Sequence, residues 1–85
     1  MAKVDIYTKF GCGYCMRAKR LLSEKGVAFS EYDITGGGEY QKEMLRRAPQ
    51  ARTVPQIFID ELHVGGSDDL AALERTGQLD QLLSG

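Results

Sequence analysis

Cys12 and Cys15 are the only thiols in the chain, and they stand three residues apart as Cys12-Gly13-Tyr14-Cys15. Two cysteines are too few to staple a secreted mini-protein, and this spacing is too short to clamp a large loop, so the pair points to redox chemistry. Disulfide exchange needs a thiolate, because the neutral thiol is a poor nucleophile, and a helix N-terminus stabilises one. Cys12 falls where a predicted strand gives way to a predicted helix and is the expected attacker. Lys9, three residues upstream, is expected to add a positive charge nearby. Lowering the pKa by about two would leave Cys12 mostly ionised at neutral pH. Cys15 lies one turn further on, and i,i+3 side chains approach to about 5 to 6 Å between Cβ atoms against roughly 3.5 to 4.5 Å in a disulfide. A small adjustment of the first turn therefore closes the bond. Cys15 faces inward on the apolar stripe, so it should be the slower thiol of higher pKa.

Two plainer readings of the pair stand beside this one. Both cysteines could be ordinary buried thiols. A zinc site would need His63, the sole histidine, and a carboxylate brought to both thiols by the fold.

The elements that must position the pair follow from periodicity. Residues 3–8 alternate Val4, Ile6 and Thr8 with Lys3, Asp5 and Tyr7, the period of a strand. Cys15, Ala18 and Leu22 then fall at helical spacing, Leu21 widens the stripe, and Gly26 supplies a left-handed stop after Lys25. Residues 27–32, with Val27, Phe29 and Tyr32, predict a second strand and complete a βαβ unit. After the flexible Thr35-Gly36-Gly37-Gly38, the residues Tyr40, Met44 and Ala48 mark one face of a second helix, flanked by Gln41 and Leu45 and ended by Pro49.

Residues 56–60 and 62–64 predict a tight antiparallel hairpin turning at Asp60-Glu61. Gly65-Gly66 precedes Ser67, expected as the N-cap of a third helix with Asp68 and Asp69 in its first turn, Leu70 and Leu73 behind them, and a stop near Gly77. Leu79, Leu82 and Leu83 make a last short helix. The order is βαβαββαα, an α/β domain without repeats.

Composition narrows the function. The chain has 85 residues, 42% hydrophobic and 27% charged, which fits one small soluble domain over residues 1–85. Eleven Lys and Arg against twelve Asp and Glu give a net charge of -1, so no nucleic-acid partner is expected. The longest apolar run is Leu70-Ala71-Ala72-Leu73, against roughly 18 residues for a membrane span, so no membrane association is expected. The first six residues interrupt their apolar positions with charges, unlike a secretory signal, and the cytoplasm is the expected compartment. Gly36-Gly37-Gly38 lacks the Lys-Ser or Lys-Thr of a phosphate loop. Arg46-Arg47 reads as helix-dipole cations, His63 as a strand residue near the surface, Met1 as an initiator, and Met16 and Met44 as packing or surface residues.

Three motifs in order, Cys12-Gly13-Tyr14-Cys15, Thr53-Val54-Pro55 and Gly65-Gly66-Ser67-Asp68-Asp69, resemble the glutaredoxins over nearly the whole chain. The resemblance implies a thioredoxin-like fold with a four-stranded mixed sheet flanked by helices, in agreement with βαβαββαα. It implies that Pro55 is cis and that Val54 offers its backbone to glutathione, which pairs as a short added strand and reaches a mixed disulfide at Cys12. Around that peptide, the N–H groups of Ser67 and Asp68 suit the γ-glutamyl carboxylate and the Asp68 carboxylate suits its ammonium, while Gly66 allows close backbone approach. Lys9 and Arg52, next to Thr53, suit the glycine carboxylate, and Tyr14 packs against the bound peptide. Taken singly, Asp68 is equally a helix-dipole residue, Lys9 and Arg52 solvated charges, and Tyr14 a surface aromatic.

The implied activity is a glutathione-dependent thiol-disulfide oxidoreductase acting on glutathionylated or disulfide-containing proteins, expected as a monomer. Cys12 attacks and becomes glutathionylated, a second glutathione releases it, and Cys15 resolves protein disulfides. The family motif most often carries proline where this chain has Gly13. Some members lacking that proline bridge two subunits with a [2Fe-2S] cluster held by the first cysteine and glutathione. A cluster-bridged dimer held through Cys12, serving as carrier or redox sensor, is therefore one alternative. Another is a glutaredoxin-like redoxin reduced by thioredoxin reductase, against which Lys9, Arg52 and Asp68 argue.

Overall fold

The computed structural model describes residues 2–84; Met1, read above as an initiator, and Gly85 lie outside the described residues. Eight elements follow in the expected order: β1 (Val4–Thr8), α1 (Gly13–Glu24), β2 (Ser30–Asp33), α2 (Glu39–Arg47), β3 (Gln56–Ile59), β4 (Leu62–Gly65), α3 (Ser67–Thr76) and α4 (Gln78–Ser84). The strands form one mixed sheet in the order β2-β1-β3-β4. β1 pairs parallel with β2, from Asp5 opposite Ser30 to Thr8 opposite Asp33, and antiparallel with β3, Ile6 opposite Ile57. The hairpin of β3 and β4 completes the sheet.

β1 lies in the interior of the sheet, and all five of its residues are buried. Its alternation therefore sorts side chains between two cores rather than between a dry and a wet face. Val4 and Ile6 join Ile57 and Ile59 in a cluster with Ala18 and Leu22 of α1, Leu70 of α3, and Leu79 and Leu83 of α4. Tyr7 and Phe58 belong to a second cluster with Ile34, Met44 and Ala48, which α2 covers. Three helices thus seal one face and α2 the other. Of the face expected for α2, Met44 and Ala48 are buried, whereas Tyr40 stays 48% exposed and rests against Tyr32 at 5.0 Å between ring centroids.

Two of the boundary differences from the sequence reading have a clear physical cause. β2 begins at Ser30 rather than at residue 27, because Val27 and Phe29 pack onto the α1 cluster before the parallel ladder starts at Ser30. Ser67 is the first residue of α3 and not its cap; Gly66 is the N-cap. The Gly66 N–H donates to the Asp69 carboxylate at 3.0 Å, the half of a capping box in which the N3 side chain reaches back to the N-cap N–H. Gly65 makes this closure possible, since its φ of 115° is disfavoured for other residues and a Cβ there would run into the Asp69 carboxylate. The hairpin turn is as expected, with Asp60 at φ 54° donating its N–H to the Lys3 carbonyl at 2.7 Å.

Candidate active site

Cys12 is the N-cap of α1, with extended backbone angles that leave its sulfur over the first turn. Its Sγ accepts the Cys15 N–H at 3.3 Å and lies 3.6 Å from the Val54 carbonyl, to which the protonated thiol donates. Partial burial works to raise the Cys12 pKa. Hydrogen bonds from the Cys15 thiol and from the Cys15 and Tyr14 N–H groups outweigh it and hold the pKa below its ordinary value. Cys15 is 2% exposed, and burial together with its hydrogen bond to Cys12 pushes its pKa up. The expected asymmetry is present, with one correction to its cause. Lys9 contributes its carbonyl, which accepts the Cys12 N–H at 3.3 Å, and its ammonium is absent from the groups that lower the Cys12 pKa. Both cysteines are free thiols.

Beside Cys12 opens a groove of about 890 Å³. Tyr14 from α1, then Arg52, Thr53, Val54 and Pro55, line part of it, and Gly66, Ser67 and Asp68 at the start of α3 line another. The Val54–Pro55 peptide is cis. These eight residues, distant in sequence, are brought to one cleft; Lys9 is not among them. It lies with Phe10, Met16 and both cysteines along a smaller depression of about 380 Å³.

Among the further residues that line the groove and that sequence reasoning left out of the site are Arg47, Gln56 and His63. Arg47 stands in the last turn of α2 as expected, and its side chain is also engaged inward. Its Nη1 donates to Asp5 Oδ2 at 3.1 Å and to the Tyr7 hydroxyl at 2.9 Å, and its guanidinium carbon lies 3.9 Å from the Phe58 ring centroid. The Tyr7 hydroxyl in turn donates to Glu43. Burial is the largest cause that raises the Tyr7 pKa, to about 12, with the Glu43 hydrogen bond next. Asp5, a carboxylate in the middle of an otherwise core-forming strand, was the available signal, since a buried charge requires a partner. His63 does lie at the sheet edge, but it is engaged, stacked on Phe58 and hydrogen-bonded to Gln56. Among the described residues, no three His, Cys, Asp or Glu side chains converge as a metal site, so the zinc alternative has no ligand set within one chain. Among the described residues, no helix is long and apolar enough to cross a membrane.

Comparison with known proteins agrees with this geometry. Residues 4–64 match the family model described as Glutaredoxin. Glutaredoxin 3 of Escherichia coli strain K12 is 57% identical over 83 residues, spanning 98% of this chain and 99% of that protein. The solution structure of glutaredoxin from Brucella melitensis superposes with a TM-score of 0.82 at 53% identity, over 98% of this chain and 89% of that one. The crystal structure of a buckwheat glutaredoxin-glutathione complex gives a TM-score of 0.83 at 29% identity, over 98% and 77%.

Proposed function

The chain belongs to the glutaredoxin family, and from that premise we propose that it is a glutathione-dependent oxidoreductase that reduces glutathionylated proteins and protein disulfides in the cytoplasm, with residues 1–85 acting as one domain. The observation that carries the reading is Cys12 at the N-cap of α1, its sulfur held by the Cys15 N–H at the edge of a groove bounded by Val54.

In this reading the Cys12 thiolate attacks the glutathione sulfur of a mixed disulfide. The S–S bond breaks, the protein thiolate leaves and takes a proton from solvent, and Cys12 carries glutathione. The thiolate of a second glutathione attacks that sulfur, releasing glutathione disulfide and restoring the Cys12 thiolate. The N–H groups over Sγ stabilise Cys12 both as attacker and as leaving group. With a protein disulfide, Cys12 forms the mixed disulfide and Cys15, one helical turn away, attacks Cys12 Sγ and expels the second protein thiolate. The groove supplies recognition. The Val54 backbone pairs with the peptide, Arg52 faces the glycine carboxylate, and the first N–H groups of α3 with Asp68 face the γ-glutamyl end, where Ser67 and Gly66 leave room. Thr53 and cis-Pro55 shape the edge and Tyr14 covers the bound peptide. Lys9, beside Cys12 but outside the groove, acts on substrate at longer range.

A coupled assay of glutathione-driven reduction of a glutathionylated peptide tests this. The parent and Cys15→Ser are expected to turn over within about tenfold of each other, and Cys12→Ser to lose activity; equal loss in both single variants would reject the roles assigned.

The second reading, a pair of chains bridged by a [2Fe-2S] cluster, is carried by Gly13. Among the described residues, no atom beyond its chain neighbours and its own helix backbone lies within 4 Å of where its Cβ would stand, so packing does not require glycine there. In that arrangement Cys12 would be the ligand this chain offers, and the cluster would supply one-electron storage. Visible absorption and pairing of chains after anaerobic reconstitution are its signature.

A further inference from the structure

Gln56 opens β3 as a buried amide, 6% exposed, ahead of Ile57, Phe58 and Ile59. Both ends of that amide are committed. Its Nε2 donates to the Thr53 carbonyl at 2.9 Å, and its Oε1 lies 2.7 Å from His63 Nε2. The carbonyl of Thr53 can only accept, which fixes the amide orientation and makes Oε1 an acceptor. His63 therefore carries a proton on Nε2. The His63 ring is itself held against Phe58, 4.8 Å between centroids and 22° from parallel. A continuous chain thus runs from β4, through the start of β3, to Thr53, whose neighbour Val54 presents its carbonyl 3.6 Å from Cys12 Sγ. A buried amide brings a desolvation cost that an apolar side chain of the same length would avoid, so its hydrogen bonds must hold something in place. What they hold is the groove edge.

We infer that Gln56 and His63 are positioning residues that fix the Thr53–Val54 edge and so set the affinity for the glutathione moiety, while the sulfur chemistry stays with Cys12. The inference rests on the reading of the groove as glutathione's. Without the amide, Thr53 loses its tether and the Val54 backbone has more than one position, so binding weakens alike in the ground and transition states. The kinetic signature of such a loss is a raised KM at constant kcat.

Steady-state kinetics with a glutathionylated peptide test it. Gln56→Met and His63→Phe are each expected to raise KM by about tenfold, equivalent to ~1.4 kcal/mol, with kcat within about twofold of the parent. Gln56→Glu keeps an acceptor for His63 but has no donor for Thr53, and is expected to behave as Gln56→Met. The double variant should be no worse than Gln56→Met, because both act through one chain of hydrogen bonds. Melting curves accompany each variant, and if Gln56→Met does not fold, His63→Phe, altered at the exposed edge of the sheet, carries the same expectation. Unchanged KM, or a loss confined to kcat, overturns the positioning role. A parent chain with no glutathione-dependent turnover would instead overturn the groove reading, and this inference with it.

Discussion

One helical turn separates two sulfurs of opposite character. Cys12 takes N–H donors from the open end of α1, and Cys15 is sealed behind it at 2% exposure. A thiolate is the nucleophile, so the lowered pKa of Cys12 makes it reactive at a pH where Cys15 is inert. Iodoacetamide at neutral pH should label Cys12 at least about tenfold faster than Cys15, and the Cys12 rate should reach half its plateau below the ordinary thiol value of about 8.5. Mass spectrometry of digests taken over a pH series reads this; equal labelling would contradict it. Holding the Cys12 thiolate favours the fold at pH above the ordinary thiol value, and that contribution fades as pH falls through the lowered one. Cys15 acts oppositely, opposing the fold as pH rises past the ordinary value. The thiol pair was legible from its spacing, and eight of the groove residues from the family resemblance. The roles of Arg47, Gln56 and His63 were not, because their partners are remote or lie across the hairpin: Arg47 meets Asp5 42 positions away.

At the scale of elements, α2 is fastened to β1 by this ion pair as well as by apolar packing. The Arg47 side chain is 22% exposed and that of Asp5 5%, and while Asp5 Oδ2 takes the arginine, its Oδ1 has no hydrogen-bond partner among the described residues. Removing the arginine leaves a carboxylate buried and unpaired. Arg47→Met should therefore destabilise the fold by about 2 kcal/mol, below the ~3–5 kcal/mol of a fully buried pair because the guanidinium retains some solvent. Urea unfolding measures it, and Asp5→Asn added to Arg47→Met should recover part of the loss, since it removes the stranded charge. A midpoint unchanged in Arg47→Met would show that apolar packing alone fixes α2. Periodicity located this helix and its end before Pro49, but not the inward turn of Arg47, since a cation in a last turn has a sufficient local explanation in the helix dipole. Ser67 misled for a related reason. Serine before an acidic pair suits an N-cap, yet the Asp69 carboxylate already satisfies the Gly66 N–H, and Ser67 enters the helix buried.

Over the whole molecule, the element order βαβαββαα and the hairpin were legible because each segment carries its own period and stop signal. The place of β1 between β2 and β3 was not legible, since period-2 alternation does not say which strands are neighbours. The two-core arrangement was not legible either: Tyr7 and Asp5 read as the polar half of a strand until α2 covers them. The molecule as a whole brings the first turn of α1, a cis-proline loop and the start of α3 to one groove, with Cys12 Sγ 3.6 Å from the Val54 carbonyl at its edge. The central claim is that glutathione is carried on that sulfur and removed by glutathione. The direct measurement is mass spectrometry of Cys15→Ser treated with glutathione disulfide, then with reduced glutathione or, separately, with thioredoxin reductase and NADPH. The account predicts one glutathione on Cys12, released by reduced glutathione at the rate of turnover and untouched by the reductase. An adduct that forms elsewhere, or one that only the reductase removes, would contradict it.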